Sequence, residues 1–566
     1  MPVEETLRDV AGVDVSEDGY VGPTSVFLRG ANSNQTLVLL DGIKMYDPIS
    51  PNAAFNFAHL TLDNLESIEV LRGTQSALYG SDAIGGVINM TTRKAQNTFV
   101  NALFESGSYY TTHESFEMGA YVNRLHYTIG GSQFNTKGIS QAKAKNNNPE
   151  RDPYDRNSFS ARMDYDITNN LTVGGTFRYT LAHFKYDQFG VDSPSICARQ
   201  ENHIFSQYIE QKLFDWWKYK INCGWMINLR RDYDDLNGPG TSYLRDYYYG
   251  KYFKVDYQNT FKILDIDNFI IGYDYSEEIG DSYKQQGAIV TDMSKAIARN
   301  GSFYLENRLN YMDRLTATQG MRVDHHSYAG THVTYKFDGS YLFPTSTKVR
   351  GAIATGFRAP NLYQLNAPAD IYSGGGNPTL KPETNLSYEY GLDQYFFGDK
   401  LMGSIVYFQN RFKNLIDAVY HSDTWYSDQY MNVNKAYSYG LETEFKFKPY
   451  NWLKSNLSYT WMQTKDLSTD SELLKRAKNK VKMQITWTIF PRLETDVTIR
   501  YVGPRMDWGN DKLKQYTTVD WVLNYELTKS FTIFGRIENL FNKQYEETRG
   551  DGEPGINAYG GVRAKF

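Results

Sequence analysis

Two regimes of hydrophobic patterning divide this 566-residue chain. Up to Ala95 the apolar runs are short and broken by glycine. Val3 to Val10 predicts a short helix ended at Gly12, and Val13-Asp14-Val15 and Ser25 to Arg29 predict brief strands. Thr36 to Leu40 is a near-continuous apolar strand, with an Asp41-Gly42 turn before Ile43 to Tyr46. The two prolines of Asp47 to Pro51 remove two ladder donors and make that segment a loop. Within Leu65 to Lys94, Ile68, Val70 and Leu71 form a strand broken at Gly73. A turn at Gln75 to Tyr79 follows, and Gly85-Gly86 lead into the strand Val87 to Met90. So small a sheet buries little apolar surface alone, so it is expected to sit inside something larger.

From Thr98 the period is two. Leu171, Val173, Gly175, Phe177 and Tyr179 alternate with Thr172, Gly174, Thr176, Arg178 and Thr180, and Leu493 to Tyr501 repeats the pattern. One face suits lipid and the other water. Short turns fall near Asn123, Thr168, Trp216, Ile266, Met312, Pro344, Gly398, Tyr450, Phe490 and Thr528. Longer charged connections, such as Lys137 to Arg156 and Asp234 to Asp246, lie between them. With both chain ends on the short-turn side, ten short turns imply about 22 antiparallel strands, as in an outer-membrane barrel. A lumen that wide needs a plug. The expected architecture is therefore an all-β transmembrane barrel over residues 97–566, with an α+β plug domain, residues 1–96, inside its lumen.

Composition changes the picture only by removing alternatives. Mean hydropathy is -0.56, and no run approaches the roughly 18 apolar residues of a spanning helix. Aromatics are 15% against only 17 prolines, which fits many short alternating strands. A net charge of -5 disfavours a nucleic-acid partner. Cys197, near a loop tip, and Cys223, well down a strand, are too far apart to bridge. There is no nucleophile with a base, zinc pattern or phosphate loop, and Gly374-Gly375-Gly376 precedes Asn377-Pro378 in a loop, not a helix start. No enzyme is expected. A propeller would show a fixed repeat, and none is present.

Five blocks in order, VFLRGANSNQTLVLLDG, IEVLRGTQSALYGSDAIGGVINMTTR, GFRAPNLYQL, NPTLKPETNLSYEYGL and RIENLFNKQYE, resemble TonB-dependent outer-membrane receptors. Asn414-Leu415-Ile416-Asp417, GLETEF, Leu473 to Lys478 and Ser81 to Gly86 resemble the cobalamin (vitamin B12) branch of that family. The resemblance implies energised uptake of a large scarce nutrient, cobalamin or alternatively a ferric siderophore, across the bacterial outer membrane. TonB, ExbB and ExbD are the implied partners, and a surface lipoprotein is a candidate one. The family's signal peptide and TonB box are expected to precede Met1.

The same resemblance sets the candidate sites. Arg29 and Arg72, each in a Leu-Arg-Gly step, are implied to face Glu389 and Glu442 of the wall as a plug–barrel latch. A buried pair is specific in position because breaking one partner strands the other. Asp187, with Asp192, and Asp232, Asp234, Asp235 and Asp246 of the adjacent loop, with Asn237 nearby, offer hard oxygens for structural Ca²⁺. The plug loops Gly19 to Thr24, Ala31 to Gln35 and Tyr46 to Asn52 are expected to face outward. They offer Tyr20, Thr24, Ser50 and Asn52, neutral groups suited to an amide-rich corrinoid. His325, His326 and His332 read as polar loop residues.

Overall fold

The computed structural model describes residues 3–51, 54–142, 150–187, 193, 195–234, 243–264, 266–286, 289–369, 373–398, 400–418, 420–421, 426–433, 435–507 and 511–566. Alternation at period two produces a closed barrel of 22 strands, each paired antiparallel with its sequence neighbours. The last strand, Asn557–Lys565, pairs with the first, Phe99–Gly107, in the register Tyr559 to Gly107 through Lys565 to Asn101, so no edge is left open. All ten short turns fall where the sequence places them. Cys223 stands opposite Gln207 on the neighbouring strand, far down the ladder from Cys197.

Strand length is uneven. Ile289–Tyr311 has 23 residues and Tyr243–Ile263 has 21, against 8 in Phe531–Glu538. At about 3.3 Å per residue the longest reach some 75 Å, well beyond the membrane on the long-loop side. At the short-turn side aromatic rings make a belt: Phe214 stacks on Trp216 at 5.5 Å and Tyr450 on Trp452 at 5.0 Å. Among the described residues no helix is long and apolar enough to cross a membrane.

Inside the lumen, the helix Val3–Leu7 leads to a ribbon of Val13–Glu17 with Thr24–Leu28, then to a four-stranded sheet. In that sheet Thr36–Leu40 pairs parallel with Gly86–Thr92, flanked by Ile43–Lys44 and Leu65–Arg72. Gly86 is required because a Cβ there would lie 2.3 Å from the Leu71 carbonyl oxygen. Val26, Leu28, Val38, Leu40, Ile88 and Met90 form the plug core, and the wall residues Ile204, Met226 and Tyr252 complete it. The barrel thus supplies apolar surface that so small a sheet lacks. The predicted strand Ser25 to Arg29 ends one residue earlier, at Leu28. Arg29 turns into the left-handed region at φ 49°, a conformation costing about 1–2 kcal/mol for a side-chain-bearing residue.

Candidate functional site

The left-handed turn at Arg29 aims its guanidinium at the wall. Nε and Nη2 donate to the two oxygens of Glu442, both at 2.8 Å, and Nη1 donates to Glu389 at 2.6 Å. Phe408 lies beneath at 5.0 Å. Arg29 and Glu442 are 2% and 1% exposed, so the fork is dry. Burial alone would lower the Arg29 pKa, yet Glu442 and then Glu389 hold it above its ordinary value. Such charge-assisted bidentate pairing is the strongest kind a side chain makes.

Arg72 meets Glu442 as expected, with further partners. Its Nη1 donates to Glu442 and to Glu444, both at 2.9 Å, and to the Ala11 carbonyl at 3.3 Å. Glu389 is shared instead between Arg29 and the wall residue Arg350, at 3.0 Å. The predicted four residues do meet, but as one network centred on Glu442. Glu444 was legible as the next lumenal position after Glu442 at period two. Arg350 had no signal beyond its place on a strand.

A second buried network went unpredicted. Lys44 contacts Asp82 and lies 3.5 Å from Glu278, while Arg358 of the GFRAP block lies 3.3 Å from Glu383. Gln35 of the plug also donates to Glu383, at 2.9 Å.

Beside the Arg29 fork, two strands further round the wall, the plug is hollow. Asp9 lies 2.9 Å from Lys482 and 3.1 Å from Arg500, Asp14 lies 2.9 Å from Lys480, and Asp18 lies 2.9 Å from Lys475. Arg8 reverses the polarity, reaching Glu547 at 2.5 Å and Glu17 at 2.6 Å. Burial pushes the Glu17 carboxyl up to about 7 against the pull of Arg8. Beside these pairs is a cavity of about 200 Å³, bounded by the plug segment from Glu4 to Val21 and by wall strands on its far side.

The outer loops roof the plug apex. Asn361 caps the helix Leu362–Asn366 and donates through Nδ2 to the Ser50 carbonyl at 2.8 Å. The Tyr363 N–H donates to Pro48 at 3.3 Å, and the Tyr430 hydroxyl to Pro51 at 3.2 Å. Arg476 donates to the Ala31 carbonyl at 3.0 Å and to Asn32 at 2.6 Å. The expected platform therefore needs correcting. Thr24 is 2% exposed, because the Gly19–Gly22 turn folds its hydroxyl inward onto the Gly22 carbonyl at 3.1 Å. Tyr20 is half-buried against Tyr109, ring centroids 5.7 Å apart, and Ser50 lies half-buried under Asn361. Asn52 lies outside the described residues.

The aspartates also regroup. Asp187 is brought to Glu150 and Asp152, with one ligand oxygen from each all within 4.8 Å. Burial pushes the Asp152 carboxyl up to about 6. Asp232 and Asp246 face each other across neighbouring strands, but each carries its own arginine, Arg230 at 2.9 Å and Arg245 at 3.0 Å. Asp234 stands at the strand end opposite Ile196. The residues suited to a hard cation are thus Glu150, Asp152 and Asp187 instead of the predicted four, because arginines already neutralise Asp232 and Asp246. Asp192, Asp235 and Asn237 lie outside the described residues.

A plug wired by buried charge into a 22-strand barrel has a counterpart in sequence. Residues 96–540 match the family model described as TonB dependent receptor-like, beta-barrel, and residues 2–87 match the TonB-dependent Receptor Plug Domain. The chain belongs to the TonB-dependent receptors. Solved structures of the same fold include the siderophore receptor PirA from Acinetobacter baumannii, at 19% identity and TM-score 0.84, covering 100% of this receptor and 96% of that chain. The ferric enterobactin receptor PfeA from Pseudomonas aeruginosa matches at 19% identity and TM-score 0.82 over 100% and 96% of the two chains. The copper transporter OprC matches at 15% and 0.86 over the same shares.

Proposed function

We propose that this TonB-dependent outer-membrane receptor takes up cobalamin, drawing energy from TonB, ExbB and ExbD. The observation that carries the reading is a convergence. The four blocks that resemble the cobalamin branch lie far apart in sequence, yet all meet one plug loop. Ile84 and Ala31 pack with Leu415 and Leu473, Arg476 holds the carbonyl of Ala31, and Glu442 of GLETEF holds Arg29. Ferric-siderophore uptake is the second reading, supported by the fold shared with PirA and PfeA and by the basic wall facing the cavity. Equilibrium binding of cyanocobalamin against a panel of ferric siderophores tests the choice. Nanomolar cobalamin binding is expected, and saturable binding of a siderophore alone would reverse the order.

Calcium is proposed at Glu150, Asp152 and Asp187, where it would tie the loop before Tyr154 to the loop after Lys185. Titration calorimetry should show a calcium heat that Asp187→Asn removes. Identical heats in both proteins would dismiss the site.

A further inference from the structure

The hollow flank carries more than an anchor. Lys480 and Lys482 lie two residues apart on the strand Asn479–Phe490 and so share its lumenal face, about 7 Å apart. Arg500 is the register partner of Lys482 on the next strand, and Lys475 stands just above, in the outer loop. Together they form a file of cations descending the wall from the outer side. Each rung meets an aspartate of one continuous plug segment: Asp18 at the top, Asp14 next, Asp9 below.

These contacts differ in kind from the Arg29 fork. Three of the four bases are lysines, point charges with no geometric demand on their partner. The bases are 13% to 21% exposed and border the 200 Å³ cavity, so water competes at every rung. The wall's own acids at the cavity are Asp520, Glu538, Glu547 and Glu553; Arg500 holds Asp520, Arg536 holds Glu538 and Arg8 of the plug holds Glu547. The cavity as a whole is lined by both signs, but along the file itself the wall presents a row of like charges, which attracts the opposite ion locally.

We propose that this file, Lys475, Lys480, Lys482 and Arg500, is a transit surface for an anionic group of the cargo, and that the aspartates of the Asp9–Asp18 segment occupy it as stand-ins while the plug is seated. The proposal rests on the uptake reading above and adds the chemistry of the path. The shared ligand chemistry is a cluster of anionic oxygens, available from the phosphodiester of a corrinoid or from the carboxylates and catecholates of a siderophore.

The first test needs no cargo. The full-length receptor in detergent is dialysed against pyrophosphate. Wild type should show no saturable binding, because the aspartates fill the rungs. D9N/D14N/D18N should bind, and adding K480Q/K482Q should weaken that binding by about tenfold. No gain of binding in D9N/D14N/D18N overturns the proposal, as does a gain that K480Q/K482Q leaves intact.

The second test separates the sources by energised uptake in cells carrying K480Q/K482Q. A fall in cyanocobalamin uptake with cobinamide, which lacks the phosphodiester, unchanged supports the corrinoid source. A fall confined to a ferric siderophore supports the other. An equal fall for all three cargoes, or none for any, overturns the proposal, and K480R/K482R should restore uptake wherever charge is what matters. A wild type that binds neither cargo class refutes the uptake reading instead, and the dialysis result still decides the file.

Discussion

Two neighbouring flanks of the plug, two wall strands apart, are held by opposite charge patterns and opposite degrees of dryness. On one flank the plug supplies arginines and the wall supplies glutamates, in a fork where Arg29 and Glu442 are almost wholly buried. On the other, Arg8 with Glu547 apart, the plug supplies aspartates and the wall supplies lysines and an arginine around a cavity of about 200 Å³. A dry, geometrically exact pair is hard to break because either partner alone is a stranded charge. A wet, single-point pair costs little to exchange. The comparison teaches that one plug is held both by a dry, two-point fork and by wetter single-point pairs beside it.

The largest expected effect is on the dry side. We predict that Arg29→Met loosens plug seating by about 3–5 kcal/mol, because Glu442 keeps only Arg72 and Glu389 only Arg350. Entry of a chromogenic β-lactam through the outer membrane should rise, and unchanged entry would show that the fork is ornamental. Arg72 is 21% exposed and leaves Glu442 still paired when removed, so Arg72→Ala is predicted to cost only about 1 kcal/mol. Its leak should fall well short of that in Arg29→Met. Arg72→Glu, which sets a third carboxylate beside Glu442 and Glu444, should leak more than Arg72→Ala.

On the wet side, Asp9→Asn with Asp14→Asn is predicted to change seating by less than about 1 kcal/mol in the same assay. Leakage equal to that of Arg29→Met would erase the distinction between the flanks.

The smallest effect concerns the outer roof. Asp551 is buried where its loop meets Ala142, and burial first, then Asp18, pushes its carboxyl up to about 8. A carboxyl raised above its unfolded value favours the folded state at low pH, and that contribution is lost as pH rises through the raised value. Hydrogen exchange in residues 545–556 should therefore quicken as pH climbs from about 4 to about 8, once corrected for intrinsic base catalysis. Asp551→Asn should flatten the response, and an unaltered profile would count against the assignment.

Much of this was legible because the signals are local. A strand that crosses lipid must alternate, and a turn that reverses it within two or three residues must break the alternation, so the ten turns and the strand count could be read without any contact. The latch arginines were visible only through the family resemblance of the blocks that hold their Leu-Arg-Gly steps. What failed was the geometry of partners. Period two cannot say which of Glu442 and Glu444 meets Arg72, nor that Arg350 claims half of Glu389. Of the apical residues Thr24 is the one turned inward, for a related reason: whether it faces out depends on the fold of one Gly19–Gly22 turn. The metal candidates failed because Glu150 and Asp152 sit in a different loop from Asp232 and Asp246, and only packing decides which joins Asp187.

The sequence by itself determined the barrel, its strand number and the presence of a plug, since each follows from spacing along the chain, while the arginines that would hold the plug came from the family resemblance. Only the tertiary structure decided that Leu65–Lys94 completes its core against Ile204, Met226 and Tyr252, and that charges of opposite sign face the plug from neighbouring patches of the wall. Those facts join residues hundreds of positions apart, and ion pairing between a plug and its wall depends on distance in space, on which periodicity carries no information.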